Sequence, residues 1–273
     1  MRSHRIHPPP TFGRDTYAPL VSTHHSIVVA RSTTPLPLLP EVCSAFGTGC
    51  FNLVLFGDGW QMAEMTVWPH QWPTVGAGPG PIAAATGAPV LAAWISDTAC
   101  AQMAADVPGG PSWTAHLVDE GRQDCGFDHE IFNTLRSPGP EQPPADHHRL
   151  AVDLAAWSAA AGRTTTAERI EAVLRNENML LEHRYRAMVG ELGLGAGVAF
   201  ERSSWTDDRI RTAWSEGFAA SYEIPTPWNR RSKASPRSTA LVAFLELHDA
   251  AKFDPAITEA DLVTHAEKAL ASG

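Results

Sequence analysis

The sequence lacks the motifs by which several large enzyme classes are recognised. It has no Gly-x-Gly-x-x-Gly, no Gly-x4-Gly-Lys-Ser/Thr, no Gly-x-Ser-x-Gly and no His-Glu-x-x-His. The glycine-rich stretch GAGPGP at 76–81 is a poor phosphate loop, because Pro79 and Pro81 remove amide donors that such a loop would use. These absences argue against dinucleotide, P-loop, nucleophile-elbow and zincin chemistry.

Cysteine pairs and long apolar runs are also missing. The four cysteines contain no Cys-x-x-Cys pair, so no structural zinc knuckle is predicted. The longest nearly apolar run, at 81–95, is shorter than the roughly 20 residues that span a bilayer, and Gly87 and Pro89 interrupt it. The N-terminal stretch contains no apolar segment of the kind that a secretory signal needs. We therefore expect a soluble, cytoplasmic protein with reduced thiols and no membrane partner.

Positive charge is outnumbered in this chain. The 21 basic and 30 acidic residues give a formal net charge of −9, which argues against a protein built mainly to coat nucleic acid or an anionic membrane. Hydrophobic residues make up 44% of the chain, enough to form a globular core. Nine tryptophans against three tyrosines suggest that some indole rings line a groove.

Periodicity and turn residues predict an α/β protein of the α+β type. Buried strands are expected at 26–32, 88–96 and 112–118, and a helix is expected at 98–107. Amphipathic helices dominate after residue 146. The expected fold is a small mixed β-sheet domain with packed helices, followed by a mainly α-helical domain.

Composition divides the chain into four parts. Proline and glycine break regular structure, so stretches rich in them mark the boundaries. The predicted parts are a flexible N-terminal arm at 1–24, an α/β sheet domain at 25–125, a proline-rich linker at 126–145 and a mainly helical domain at 146–273.

The stretch CFNLVLFGDGWQMAEMTVW at 50–68 is predicted to be a β-hairpin. Its centre, Gly57-Asp58-Gly59, resembles a phosphate loop only superficially, because no helix follows to bind the anion. Asp58 and Gly59 tolerate the positive φ that a tight hairpin turn requires. A turn between two strands is therefore the favoured interpretation.

One face of the second hairpin strand carries large apolar side chains. Alternation along a strand places Trp60, Met62 and Trp68 on the same face. If this face is exposed, it is the predicted partner-binding surface, with Trp72 from the following loop; if a helix covers it, the prediction loses its best surface.

The best catalytic candidate lies in RQDCGFDHE at 122–130. On a helix, Cys125 and His129 would share a face, so the imidazole could take the thiol proton. The neighbouring carboxylates oppose this, because they disfavour the thiolate, and the same cluster is typical of a solvated turn.

A metal site is the alternative use of the same region. Asp128 and His129 could combine with His147 and His148 to bind zinc, iron or manganese. The competing interpretation is that Asp146 caps a helix and directs the two following histidines in different directions. No other cofactor is predicted.

A basic loop at 228–237 contains Arg230, Arg231 and Lys233 beside a tryptophan. This composition could bind a nucleic-acid backbone, although the acidic chain as a whole makes that use weaker. The same loop could instead bind an acidic protein.

The leading hypothesis is a non-catalytic binding protein, a regulatory or immunity-type partner of another macromolecule. It rests on the missing catalytic motifs, the tryptophans near loops and the acidic charge, which favours a basic protein partner. The first alternative is an enzyme with a Cys/His or His/Asp metal site at the domain junction. A nucleic-acid accessory protein is the weaker alternative.

Overall fold

The computed structural model describes residues 25–68, 71, 78–96, 100–119, 144–201, 203–225 and 233–272. Within these ranges seven strands form one sheet and eight helices accompany it, which confirms the α+β class. The predicted arm at 1–24 and most of the predicted linker at 126–145 lie outside the described residues, so the domain boundaries stay a prediction.

Strands dominate the first half of the described chain and helices the second. The strands are β1 His25–Arg31, β2 Gly49–Leu55, β3 Trp60–Thr66, β4 Val90–Ser96, β5 Cys100–Asp106, β6 Ser112–Leu117 and β7 Val198–Ala199. The helices are α1 Pro40–Phe46, α2 Gly80–Thr86, α3 His147–Ala160, α4 Ala167–Leu174, α5 Leu181–Glu191, α6 Asp208–Ser221, α7 Pro236–Ala251 and α8 Glu259–Ala271.

The sheet has the strand order β6-β5-β4-β1-β3-β2-β7. Every ladder between these described strands is antiparallel, so the parallel pairs implied by a mixed sheet are not among them. Short connections join β2 to β3 and β5 to β6, and short connections suit antiparallel neighbours, whereas parallel pairs need a long crossover. A single bridge between His116 and Pro144 is parallel.

The helix predicted at 98–107 is wrong, because most of that segment forms β5. Its side chains alternate between the two faces of the sheet: Ala101 and Met103 belong to one core cluster and Ala104 to the other. β5 pairs with β4 on one side and β6 on the other. Alanine favours a helix in isolation, but this central position in the sheet overrides that preference.

The predicted hairpin at 50–68 is confirmed. Gly57–Gly59 forms a single 3₁₀ turn between β2 and β3, and Asp58 and Gly59 have φ of 60° and 78°. The amide of Phe56 donates to the carbonyl of Trp60 at 2.8 Å and closes the hairpin. A strand, β3, follows the turn directly, so no helix N-terminus lies beside it.

Each face of the sheet is covered by helices. On one face, α3, α4 and α5 bury Trp60, Met62 and Leu91 together with Trp157, whose ring lies 5.5 Å from that of Trp60 in an edge contact. On the other face, α1 and α2 cover residues such as Met65. The predicted alternation along β3 is therefore confirmed, since successive residues enter different clusters.

Helices α6, α7 and α8 have a third core of their own. It includes Ile210, Leu241, Phe244 and Leu262. The end of α7 reaches the sheet, because Phe253 packs in the cluster beneath α1. None of the helices in the described ranges combines the length and apolar character needed to cross a bilayer.

Candidate binding surface

A row of aromatic side chains follows one side of α6. Trp214, Phe218 and Tyr222 are spaced four residues apart, so they lie on neighbouring turns of the same helical face. The Trp214 and Phe218 rings stack at 6.0 Å between centroids, and the Phe218 and Tyr222 rings meet edge to face at 5.6 Å. Trp68, two residues after β3, contacts Phe218 with 5.8 Å between the ring centroids. These four residues are called the aromatic surface below.

The aromatic surface is open to solvent. Phe218 is 38% exposed and Tyr222 is 55% exposed, while Trp68 and Trp214 are half-buried. Large side chains that are buried on one side and exposed on the other offer contact area at a low cost in conformational entropy. Such residues are enriched at the centres of protein interfaces.

A buried carboxylate fixes the position of Trp68. The indole Nε1 of Trp68 donates to Oδ2 of Asp249 at 2.8 Å, and Lys252 Nζ donates to Oδ1 of the same residue at 2.6 Å. The Asp249 side chain is fully buried, so the two donors replace the water that an ionised carboxylate needs. Trp68 is thus held against α6 by a charged residue of α7.

Gln71 forms a second link between the sheet and α7. Its Oε1 accepts from the amide of Thr48 at 3.1 Å, and its Nε2 donates to Thr48 Oγ1 at 2.8 Å and to Glu246 Oε1 at 3.0 Å. A side chain added at Gly47 would come within 2.9 Å of Gln71, so the α1–β2 connection passes very close to this link. Both links hold the end of β3 to α7.

His248 lies behind the aromatic surface within a ring of aromatic side chains. Its ring centroid is 5.2 Å from that of Trp205, 6.2 Å from that of Trp214 and 6.2 Å from that of Phe244. His248 Nδ1 is 3.5 Å from Asp249 Oδ1, but the alignment is too poor for a hydrogen bond. Among the described residues, His248 Nδ1 and Trp214 Nε1 have no hydrogen-bond partner.

The predicted binding residues differ in burial. Trp60 is 2% exposed and Met62 is 4% exposed, because α3 covers the hairpin face they share; that face is not a surface. Trp68 is not covered by α3, because it lies beyond the end of β3 and its ring contacts Phe218 of α6. Lys233 is exposed. Trp72, Arg230 and Arg231 lie outside the described residues.

The predicted catalytic and metal residues are not brought together in the described part of the chain. Cys125, Asp128 and His129 lie outside it, so the Cys/His alternative stays a prediction. His147 is buried with Nε2 2.9 Å from the carbonyl of Val118, whereas His148 is exposed with Nδ1 2.7 Å from Glu171.

The two histidines therefore point apart, as the helix-cap interpretation predicts. The Asp146 carboxylate accepts from the amide of Arg149 at 2.7 Å and begins α3. In the described ranges, no group of three or more His, Cys, Asp or Glu side chains is placed to hold a metal ion.

Cys43 and Cys50 are poor nucleophiles. Burial raises the pKa of Cys43 to about 11 and that of Cys50 to about 12. A thiol is reactive as the thiolate, so both are inert near neutral pH. Cys50 packs in the core cluster on the α1 side of the sheet, and the half-buried Cys43 donates through Sγ to the carbonyl of Pro37 at 3.3 Å.

Sequence reasoning missed most of the aromatic surface. Within the helical region predicted after residue 146, Trp214, Phe218 and Tyr222 recur at a spacing of four. That spacing is the signal that could have found them. The role of Asp249 carried no comparable signal, because its partner Trp68 is 181 positions away in sequence.

Two arginines on α5, the buried Arg184 and the partly buried Arg186, differ in how many of their donors have acceptors. All three guanidinium nitrogens of Arg186 donate, Nε and Nη2 to the fully buried Glu64 at 2.7 Å each and Nη1 to Glu182 at 2.7 Å. Arg184 donates only through Nη2. Arg186 is therefore a satisfied structural ion pair, and Arg184 is not.

Comparison of the chain with protein-family models, with curated proteins and with solved structures gives no significant match. The case for a function therefore rests on the geometry of the described residues.

Proposed function

We propose that this chain is a non-catalytic binding protein, of a regulatory or immunity type, that engages a protein partner through the aromatic surface. The observation that carries the proposal is the contiguous contact of four aromatic side chains, two of which are more than a third exposed. Rings of this kind supply most of the binding energy in many protein interfaces.

The partner is a protein with a basic segment. The chain carries a formal charge of −9, so a basic partner is attracted electrostatically. Arginine and lysine side chains also stack favourably on the faces of tryptophan, tyrosine and phenylalanine. Both effects favour the same class of partner.

The test is affinity capture from the native host with matched variants. The double variant Phe218→Ala, Tyr222→Ala removes the two most exposed rings, and Val152→Ala removes a similarly exposed apolar side chain, 42% exposed, from α3. A stoichiometric partner should be captured by the wild type and by Val152→Ala and lost with the double variant. Capture of no stoichiometric partner, or its retention by the double variant, would contradict the proposal.

A second readout uses the tryptophans themselves. Trp68 and Trp214 belong to the aromatic surface, so the captured partner should change their fluorescence in a titration. Replacing a hot-spot aromatic by alanine typically costs about 2 kcal/mol or more, so the double variant should weaken binding by about a thousandfold if the two losses add. A change of less than about threefold would place the interface elsewhere.

A further inference from the structure

Arg184 is a buried arginine with unused donors. Its side chain is 1% exposed, and its Nη2 donates to Asp119 Oδ1 at 2.8 Å and to the carbonyl of Met179 at 3.2 Å. Nε and Nη1 are buried and have no hydrogen-bond partner in the described part of the chain. A buried guanidinium in this state is destabilised relative to one whose nitrogens all donate, such as that of Arg186.

The surroundings of Arg184 favour a negative charge. The arginine lies in the first turn of α5, where the backbone amides are directed outward. Its partner Asp119 follows Val118, whose carbonyl lies 2.9 Å from Nε2 of His147, the first residue of α3. The end of β6 and the first turns of α3 and α5 therefore converge near this arginine.

Asp119 provides access to the buried arginine. Its side chain is 35% exposed, although the guanidinium that it contacts is almost fully buried. Solvent therefore reaches the ion pair from the side of the carboxylate. An anion arriving by this route would meet the guanidinium where Asp119 now contacts it.

We propose that Arg184 anchors a binding site for a small oxyanion, a carboxylate or phosphate group, and that Asp119 occupies this site in the absence of the ligand. An oxygen of the ligand replaces Asp119 Oδ1 on Nη2, and a second oxygen accepts from Nη1, which has no partner now. The guanidinium fork suits two oxygens of one group, and the Asp119 carboxylate turns to solvent. The site is independent of the aromatic surface.

The test is ligand-induced stabilisation of the full chain. Thermal unfolding is followed in sodium chloride, then in sodium acetate or sodium phosphate at equal ionic strength and pH. A ligand that binds only the folded state raises Tm with its concentration, and the concentration dependence gives an apparent Kd. The variants are Asp119→Ala and Arg184→Met, and Arg149→Ala, which changes an exposed arginine of α3, is the matched control.

The expected order of affinities for the oxyanion follows from competition between Asp119 and the ligand for Arg184. Wild type and Arg149→Ala should respond equally to the oxyanion, and Asp119→Ala should bind it roughly tenfold more tightly, the change expected for one competing charge-assisted hydrogen bond. Arg184→Met should not respond. The oxyanion with the lower Kd, acetate or phosphate, identifies the ligand group.

Three results would overturn the proposal. Chloride could raise the Tm of every variant as much as the oxyanions do. The oxyanion could bind wild type and Asp119→Ala with the same apparent Kd. Finally, the oxyanion could raise the Tm of Asp119→Ala alone. Asp119→Ala leaves the buried Arg184 guanidinium without its carboxylate, so Asp119→Asn, which keeps an oxygen acceptor but not the charge, is measured beside it. The comparison of these two variants with the wild type decides the matter even if Arg184→Met does not fold.

Discussion

Tyr185 shows at the residue scale how a single polar atom can weaken a core. The side chain is fully buried among the helices that cover the sheet, and its hydroxyl has no hydrogen-bond partner among the described residues. Burial raises the pKa of Tyr185 far above its ordinary value, so the hydroxyl stays neutral. The desolvation of that hydroxyl is an uncompensated cost in the folded state.

The variant Tyr185→Phe should therefore be more stable than the wild type. Removing a buried hydroxyl without a partner should raise the free energy of unfolding by about 1 kcal/mol, and Tm by about 2–4 °C in a chain of this size. Urea unfolding followed by far-UV circular dichroism measures the change. A loss of stability would show that the hydroxyl has a hydrogen-bond partner in solution.

At the scale of secondary-structure elements, local signals predicted some segments well and others poorly. The hairpin was predictable, because the turn needs positive φ at two positions and Asp58-Gly59 supplies it. β5 was not, because an alanine-rich segment carries helical propensity and only pairing with β4 and β6 makes it a strand. Helix α3 was predictable from its first turn, because Asp146 is a residue type that caps helices and its side chain does accept from the amide of Arg149.

An exposed pair links α3 to α4 and gives a pH-dependent contribution. The pKa of His148 is raised, first because its ring donates a hydrogen bond to Glu171 and then because the carboxylate attracts the imidazolium. The pKa of Glu171 is lowered, by the hydrogen bonds from His148 and Arg175. Both shifts stabilise the ionised pair.

The direction of each pKa shift defines the pH range in which the pair stabilises the fold. The His148 contribution is present below its ordinary pKa and is lost as pH rises through the raised value. The Glu171 contribution is present above its ordinary pKa and is lost as pH falls through the lowered value. The pair therefore contributes most between roughly pH 4.5 and 6.5.

Replacing Glu171 with Gln should return the pKa of His148 toward its ordinary value. The stability difference between wild type and Glu171→Gln should be largest in that window and shrink at higher pH. Nuclear magnetic resonance titration of the imidazole measures the first effect, and unfolding at several pH values measures the second. Glu177→Gln, an exposed carboxylate after α4, is the control and should change neither. If His148 had the same pKa in Glu171→Gln as in the wild type, the pairing would be contradicted.

At the scale of the whole molecule, burial decided which aromatic residues form a surface. Local alternation grouped Trp60 with Trp68, but only Trp60 lies where α3 packs on the sheet. Whether a strand face is covered depends on helices about 100 residues later in the chain, and no local pattern contains that information. The fold class was therefore predictable, whereas the position of the candidate site was not.

The contact between the sheet and the α6–α8 core converges on Asp249. This carboxylate accepts from Trp68 at the end of β3 and from Lys252 at the end of α7, so its loss would leave an indole donor and a partly buried ammonium without their acceptor. Removing one partner of such a pair costs more than the pair contributes, because the other partner keeps its desolvation cost.

Asp249→Ala should therefore lower the free energy of unfolding by about 2–3 kcal/mol and free the Trp68 ring from Phe218. Asp249→Asn keeps an oxygen acceptor for the indole, so it should lose less stability than Asp249→Ala and keep the tryptophan fluorescence spectrum of the wild type. Lys252→Met removes the ammonium and leaves the Trp68 bond intact, which separates the charge from the hydrogen bond. Chemical unfolding followed by tryptophan fluorescence measures both effects in each variant. If Asp249→Asn lost as much stability as Asp249→Ala, the indole hydrogen bond would not be what joins the sheet to α7.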